Sequence, residues 1–260
     1  MSWLASLPAW LLVALSVAVF VLIALLARKL FERVSRDHPR DNHHAVAASL
    51  MPGICAIFGI IAGLTLINQV NNLHRAQEAV SREASAAARL AWATETLPAG
   101  NVRQPLVRFI EADTGPGWEI TTGEPVPAPV AESIRVLQER VRTAASAPGT
   151  RSQVASEVLA ALDDLMTARR ERVIAQSTQI PALFVIALFL AGLAVVANAA
   201  ALTVGRPYTW RLIVPVVAVV AVDIALVIAM WLPFSGTIQA GDRPLTDVRQ
   251  QLQQGFFEIR

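Results

Sequence analysis

Four windows of the chain are apolar throughout and almost free of charge: residues 7–27, 45–67, 181–204 and 212–232. Each is about the length that crosses a hydrocarbon core, roughly 20 residues of helix. They fall into two pairs, each joined by a short polar segment. The stretch between the pairs, 68–180, is polar and follows a different pattern. This arrangement predicts an all-α integral membrane protein. A transmembrane hairpin occupies 1–67, an extramembrane helical domain 68–180, a second hairpin 181–232, and a tail 233–260.

Within the central segment, apolar residues recur at Leu73, Val80, Ala84, Ala87, Leu90, Ala91 and Leu97, a stripe of helical period. Neither Gly nor Pro interrupts it before Pro98, so the second span should run on into this segment as one helix. A short helix is predicted near 102–112. A Pro- and Gly-rich loop follows over 115–129. Ile134, Leu137 and Val141 mark a helix over 130–147, which Pro148–Gly149 ends. Val154, Val158, Leu162, Leu165 and Ile174 mark another over 152–179, leading into the third span.

Composition agrees with this layout. Hydrophobic residues make up 54% and charged ones only 16%, against about 25% charged in a soluble domain. The net charge of +2 gives no reason to expect a nucleic-acid partner. Membrane lipid is the expected surround. Cys55, the single cysteine, excludes an intrachain disulfide and reads as a small buried hydrophobe. The first span has its cations, Arg28 and Lys29, after it rather than before it, so it reads as a permanent anchor and not as a cleaved leader.

Charge also predicts orientation. The loop 28–44 carries Arg28, Lys29, Arg33, Arg36 and Arg40, and the loop 205–211 carries Arg206 and Arg211. Cations collect in short cytoplasmic loops. The N-terminus, the central domain and the tail are then extracytoplasmic, in the inner (plasma) membrane of a bacterial cell. Trp3, Trp10, Trp210 and Trp231 stand at the span ends, where interfacial aromatics belong.

Several side chains depart from the background. Asp223 is the one charge in the fourth window, and an ionisable group at that depth is costly. It belongs either to an ion or proton route or to a neutral hydrogen bond. Ser16 lies at matching depth in the first span, both roughly 13 Å in at ~1.5 Å per residue. Asn198 is a polar contact in a small-residue-rich third span. Gly59 and Gly63, extended by Gly53 and Ala56, form a Gly-x-x-x-Gly surface suited to close helix packing, within the chain or around a pore. In a pore, Ile57, Phe58 and Ile61 would form a hydrophobic constriction. Arg169, Arg170 and Arg172 cluster before the third span, and Glu78 or Glu83 on the antiparallel helix could pair with them. The alternative is an anion-attracting ring in an oligomer.

Asp37, His38, Asp41, His43 and His44 share a loop with five cations. Their spacing matches no metal motif, so no metal or other cofactor is expected. No nucleophile elbow, P-loop, H-E-x-x-H or dinucleotide glycine pattern occurs, which argues against an enzyme.

Three stretches resemble, in order and spacing, a bacterial four-transmembrane bestrophin-like family of unknown function. They are GLTLINQVNNLHRAQEAVSREASAAARL from Gly63, ARRERVIAQSTQIPALF from Ala168, and PFSGTIQAGDRPLTDVRQQL from Pro233. The chain departs from the family at Trp231, where an acidic residue is usual. Its only tyrosine is Tyr208, whereas the family tends to carry one in the second span. The resemblance implies a relation to bestrophins, pentameric anion channels whose second span lines the pore and whose bulky helical region is cytoplasmic. The charge count places the corresponding region outside. Two functions follow as expectations. One is an oligomeric, channel-like protein with an inorganic ion as cargo. The other is a membrane-anchored extracytoplasmic sensor or scaffold that transports nothing.

Overall fold

The structure, a computed structural model, describes residues 9–37, 43–95, 97, 102–118, 125–177, 182–204, 211, 213–230, 234 and 238–257. Among these there are eight helices and no strand: α1 Ala9–Asp37, α2 His43–Glu95, α3 Arg103–Thr114, α4 Ala128–Ala145, α5 Ser152–Ser177, α6 Ala182–Leu202, α7 Ile213–Ala229 and α8 Arg243–Gln253. Trp3, His38, Asp41, Pro98, Pro181, Tyr208, Trp210 and Trp231 lie outside the described residues.

The chain divides into two units, Met1–Asn71 with Gln179–Ile238, and Asn72–Thr178 with Gln239–Arg260. In the first, α1 packs on α6 and α7, and α6 packs on α7. Phe20, Phe58, Leu188, Val196, Val217, Val220 and Ile224 form an apolar core. The Phe20 and Phe189 rings meet at 5.7 Å. Gly192 permits the close approach, since a Cβ there would stand 2.8 Å from Val220 Cγ1. Among the described residues, three helices are long and apolar enough to cross a membrane, at Trp10–Val34, His44–Glu95 and Leu183–Leu202, while Ile213–Ala229 is shorter.

One boundary differs instructively from the sequence expectation. The first span was expected to end at residue 27, but α1 runs on to Asp37. Hydropathy marks where lipid begins, whereas the helix persists while its exposed side chains support it. Arg28 Nε donates to Glu32 Oε1 at 3.0 Å, one turn apart. In α2 the chain stays helical for 53 residues and carries Pro52 inside.

The second unit is built from shorter amphipathic pieces. Helix α3 packs on α4 and α8, and α4 packs on α5. Leu106, Phe109 and Ile110 of α3 are fully buried, as are Val130, Leu137 and Val141 of α4. Gly149, with φ of +90°, makes the left-handed turn between α4 and α5. The tail, read from sequence as a separate segment, contributes α8 to this unit. Its Leu245, Val248 and Leu252 form a buried stripe. Arg103 Nη2 donates to the Gln253 carbonyl at 2.8 Å. The Trp92 and Phe257 rings meet edge-on at 5.4 Å.

Candidate functional site

The first candidate lies on α2 within the first unit. Gly53, Ile57, Ile60, Leu64 and Ile67 recur at steps of four and three, so they share one face. That face is open: Ile57, Ile60, Leu64 and Ile67 are each more than half exposed. Ala56, Gly59 and Gly63 flank it, and a Cβ built on Gly53, Gly59 or Gly63 meets nothing within 4 Å. Among the described residues these glycines therefore make no close packing.

The opposite face of α2 is held. Phe58 is 6% exposed and belongs to the bundle core, close to Gly192, so it is not part of an open constriction. Ile61 is half-buried against the same core. Asn198 of α6 donates from Nδ2 to the Ala47 carbonyl at 2.9 Å and reaches Met51 Sδ at 3.2 Å. Gln69 donates from Nε2 to the Val227 carbonyl at 3.4 Å. These side chains tie α6 and α7 to α2 and fix which face stays free. Cys55, expected to be buried, is exposed.

Asp223 is half-buried on α7, and among the described residues no hydrogen bond joins it to Ser16. The reason is angular. Val217, Val220, Ala221, Ile224 and Val227 are among the α7 residues in the core, and Asp223 lies at the edge of their face, about 100° round the helix from Ile224. On its other side stands the exposed Val219, one turn before it. Ser16 is buried in the bundle.

The second candidate is a buried ionic network within the second unit. Helices α2 and α5 run antiparallel there, tied by the Arg82–Glu171 pair at 3.3 Å and by Arg89 with Asp164. Between them, Arg172 is fully buried. Its Nε donates to Glu83 Oε2 at 2.6 Å, and its Nη2 donates to Asp113 Oδ2. Arg169 Nε donates to Asp113 Oδ1 at 2.8 Å. Glu83 and Asp113 are also fully buried. The Trp118 ring lies 5.1 Å from the Arg172 guanidinium carbon, a cation–π contact. Gln176 donates from Nε2 to the Trp118 carbonyl.

Burial, and after it the Asp113 carboxylate, push Glu83 up to about 8. Arg172 pulls the other way and does not win. Two carboxylates closed off from water cannot both ionise cheaply even beside two arginines.

The remaining members of the sequence cluster are elsewhere. Arg170 is exposed and donates to Thr167 Oγ1 at 3.0 Å. Glu78 is exposed and pairs with Arg82 one turn along, at 3.6 Å. Asp113, Trp118 and Gln176 were not singled out from the sequence. A usable signal existed: Leu106, Ile110 and Asp113 keep helical spacing, as do Leu162, Leu165, Arg169, Arg172 and Gln176. Polar residues occupying core positions of an apolar stripe point to a buried network. Among the described residues no group of His, Cys, Asp and Glu could hold a metal.

This architecture, with apolar helices flanking a helical insertion, is that of an all-α membrane protein. A family model for the Bestrophin-like domain matches residues 18–245, and the chain belongs to that family. The crystal structure of a bacterial bestrophin homolog from Klebsiella pneumoniae, phased by Zn-SAD, superposes with a TM-score of 0.61 at 12% identity. The match covers 95% of this chain and 100% of that one. A structure of the Klebsiella pneumoniae homolog with an I180T mutation gives a TM-score of 0.58 at 12% identity, covering 93% and 99%. Among curated proteins no relative matches the chain.

Proposed function

We propose that the protein assembles as a homo-oligomer in the bacterial inner membrane and forms an ion pathway along the open face of α2. One observation carries this reading. The membrane-spanning part of α2 keeps one face bare while its other face is fixed by Phe58, Gln69 and the Asn198 contacts. A row of Ile and Leu beside three unfilled glycines suits a narrow hydrophobic constriction built from several copies. The closed channel would be dewetted at Ile57, Ile60 and Leu64, and ions would pass when the ring widens.

Purified protein in planar bilayers tests this. Conductance is expected, with Ile57→Ala and Ile60→Ala raising the open fraction. Silence across several anions and pH values, in protein that is verified as folded, would favour a sensor or scaffold instead. Orientation is tested separately in a Cys55→Ala background. A cysteine at Ser146 should react with an impermeant reagent in whole cells, and one at Ser35 should not. The reverse pattern would put the helical insertion in the cytoplasm.

A further inference from the structure

Beside the buried network, α4 and α5 enclose a cleft of about 450 Å³. Gln138 and Arg142 of α4 line it, together with Asp163, Arg169 and Arg170 of α5, over a floor that includes Leu162 and Met166. Three guanidinium groups thus meet one carboxylate. Arg142 and Arg170 are exposed, and among the described residues neither pairs with a carboxylate. Arg169 is only 8% exposed; its Nε is taken by Asp113, and its Nη2 has no partner.

We propose that this cleft is a binding site for a small oxyanion, a phosphate or a compact carboxylate. Arg142 and Arg170 supply the mobile donors, Gln138 a neutral one, and Arg169 a positive charge already held in place from below. Paired oxygens of a carboxylate or phosphate suit guanidinium forks, which donate two parallel bonds at once. The pre-positioned Arg169 loses little rotamer freedom on binding, because Asp113 has fixed it. Asp163 faces the same cleft and limits how much negative charge the site accepts. The network beneath adds to the attraction. With Glu83 protonated, Arg169 and Arg172 are opposed by Asp113 alone, leaving one uncompensated positive charge below the cleft. An anion on the free Arg169 Nη2 leaves the Nε bond to Asp113 in place, so the Asp113–Arg169 tie between α3 and α5 holds the site. The proposal does not depend on ion conduction along α2.

The test is calorimetric titration of the full chain in detergent with inorganic phosphate, and separately with succinate, at pH 7. Saturable binding of at least one of them below about 1 mM is expected. The Arg142→Gln/Arg170→Gln variant removes only exposed side chains, and it should weaken that binding at least tenfold. Arg135→Gln, on the same helix but paired with Glu132 and Glu139, is the control for charge alone and should leave binding within twofold. Three results would each overturn the site: no saturation by either anion up to 10-fold above that concentration, undiminished binding by the double variant, or an equal loss in Arg135→Gln.

Discussion

The same helix, α2, meets two different solvents, and the two units it enters solve opposite problems. In the first unit the core is apolar and so is much of the outside; Leu22, Leu26, Ile60, Leu183 and Val219 are all more than half exposed. Lipid surrounds such a surface without penalty, so uniqueness comes from a few polar ties and one tight glycine. In the second unit the outside is charged, and the core holds a buried ionic network. There α2 places Glu83 where its apolar stripe would otherwise put a hydrophobe. The difference teaches that hydropathy tells where lipid is, while polar residues on a buried stripe tell where a specific packing is enforced.

The most severe way to break the contrast is to remove Arg172. Arg172→Met fills the space but leaves Glu83 and Asp113 buried without their shared donor. Breaking a buried pair from one side costs about 3–5 kcal/mol. The second unit should lose that much in denaturant titrations followed by hydrogen exchange of peptides from α3 and α5. Arg170→Met, two positions away and exposed, should stay within about 0.5 kcal/mol. Equal effects would mean that the network is no more than a set of surface pairs.

Acidity gives a second, somewhat smaller effect. The Glu83 carboxyl is held at about 8 in the folded unit, against an ordinary 4.5. Folding therefore takes up a proton between those values. The contribution is complete below about 4.5 and is lost as pH rises through about 8. Exchange protection of α3 and α5 should decline from pH 5 to 9, by on the order of 2–4 kcal/mol. Glu83→Gln fixes the protonated shape and should flatten that decline. An unchanged pH slope in the variant would assign the dependence to other groups.

Glycines sharpen the comparison within the membrane unit. Gly192→Ala puts a Cβ against Val220, 2.8 Å from its Cγ1, and overpacking of that kind costs about 1–3 kcal/mol. Gly59→Ala and Gly63→Ala meet nothing within the chain. They should leave the monomer's stability within about 0.5 kcal/mol while shifting the oligomer distribution seen by native mass spectrometry. If all three variants lower stability alike and the oligomer is untouched, the open face of α2 is merely lipid-facing.

Much of this fold was legible because long apolar windows and uninterrupted helical stripes are dominated by local physics. The continuity of α2 through the end of its span is the clearest instance, since no breaker stands between residues 53 and 95 beyond small glycines suited to a bilayer. The roles of single polar residues were less legible. Arg169, Arg170 and Arg172 look alike as a run, yet two are buried and one is exposed, because the helix turns about 100° per residue. Asp113 escaped notice because its partners are 30 residues before it and about 60 after it. Depth matching paired Asp223 with Ser16, yet among the described residues no hydrogen bond joins them. Height follows from counting residues, but azimuth needs the packing of the whole bundle.

Asp223 carries the smallest expected effect and the most specific one. It stands half-buried on α7, at the edge of the packed face and next to the exposed Val219 and Val222. Removing its charge should not disturb the monomer core, because Val220 and Ile224 do that packing. Asp223→Asn should therefore change stability by less than about 0.5 kcal/mol. Asp223→Leu should be neutral or slightly stabilising if the side chain meets lipid, where an unpaired polar group costs free energy. The same Leu variant separates the two surroundings open to this face. A residue at a copy-to-copy contact would weaken the oligomer when made Leu while Asn preserved it, because Asn keeps a hydrogen-bonding partner and Leu does not. A lipid-facing residue would leave the oligomer intact in both variants. Native mass spectrometry of the pair, alongside their melting curves, distinguishes these outcomes, and destabilised monomers in both would show that α7 packs more tightly around position 223 than its half-exposure implies.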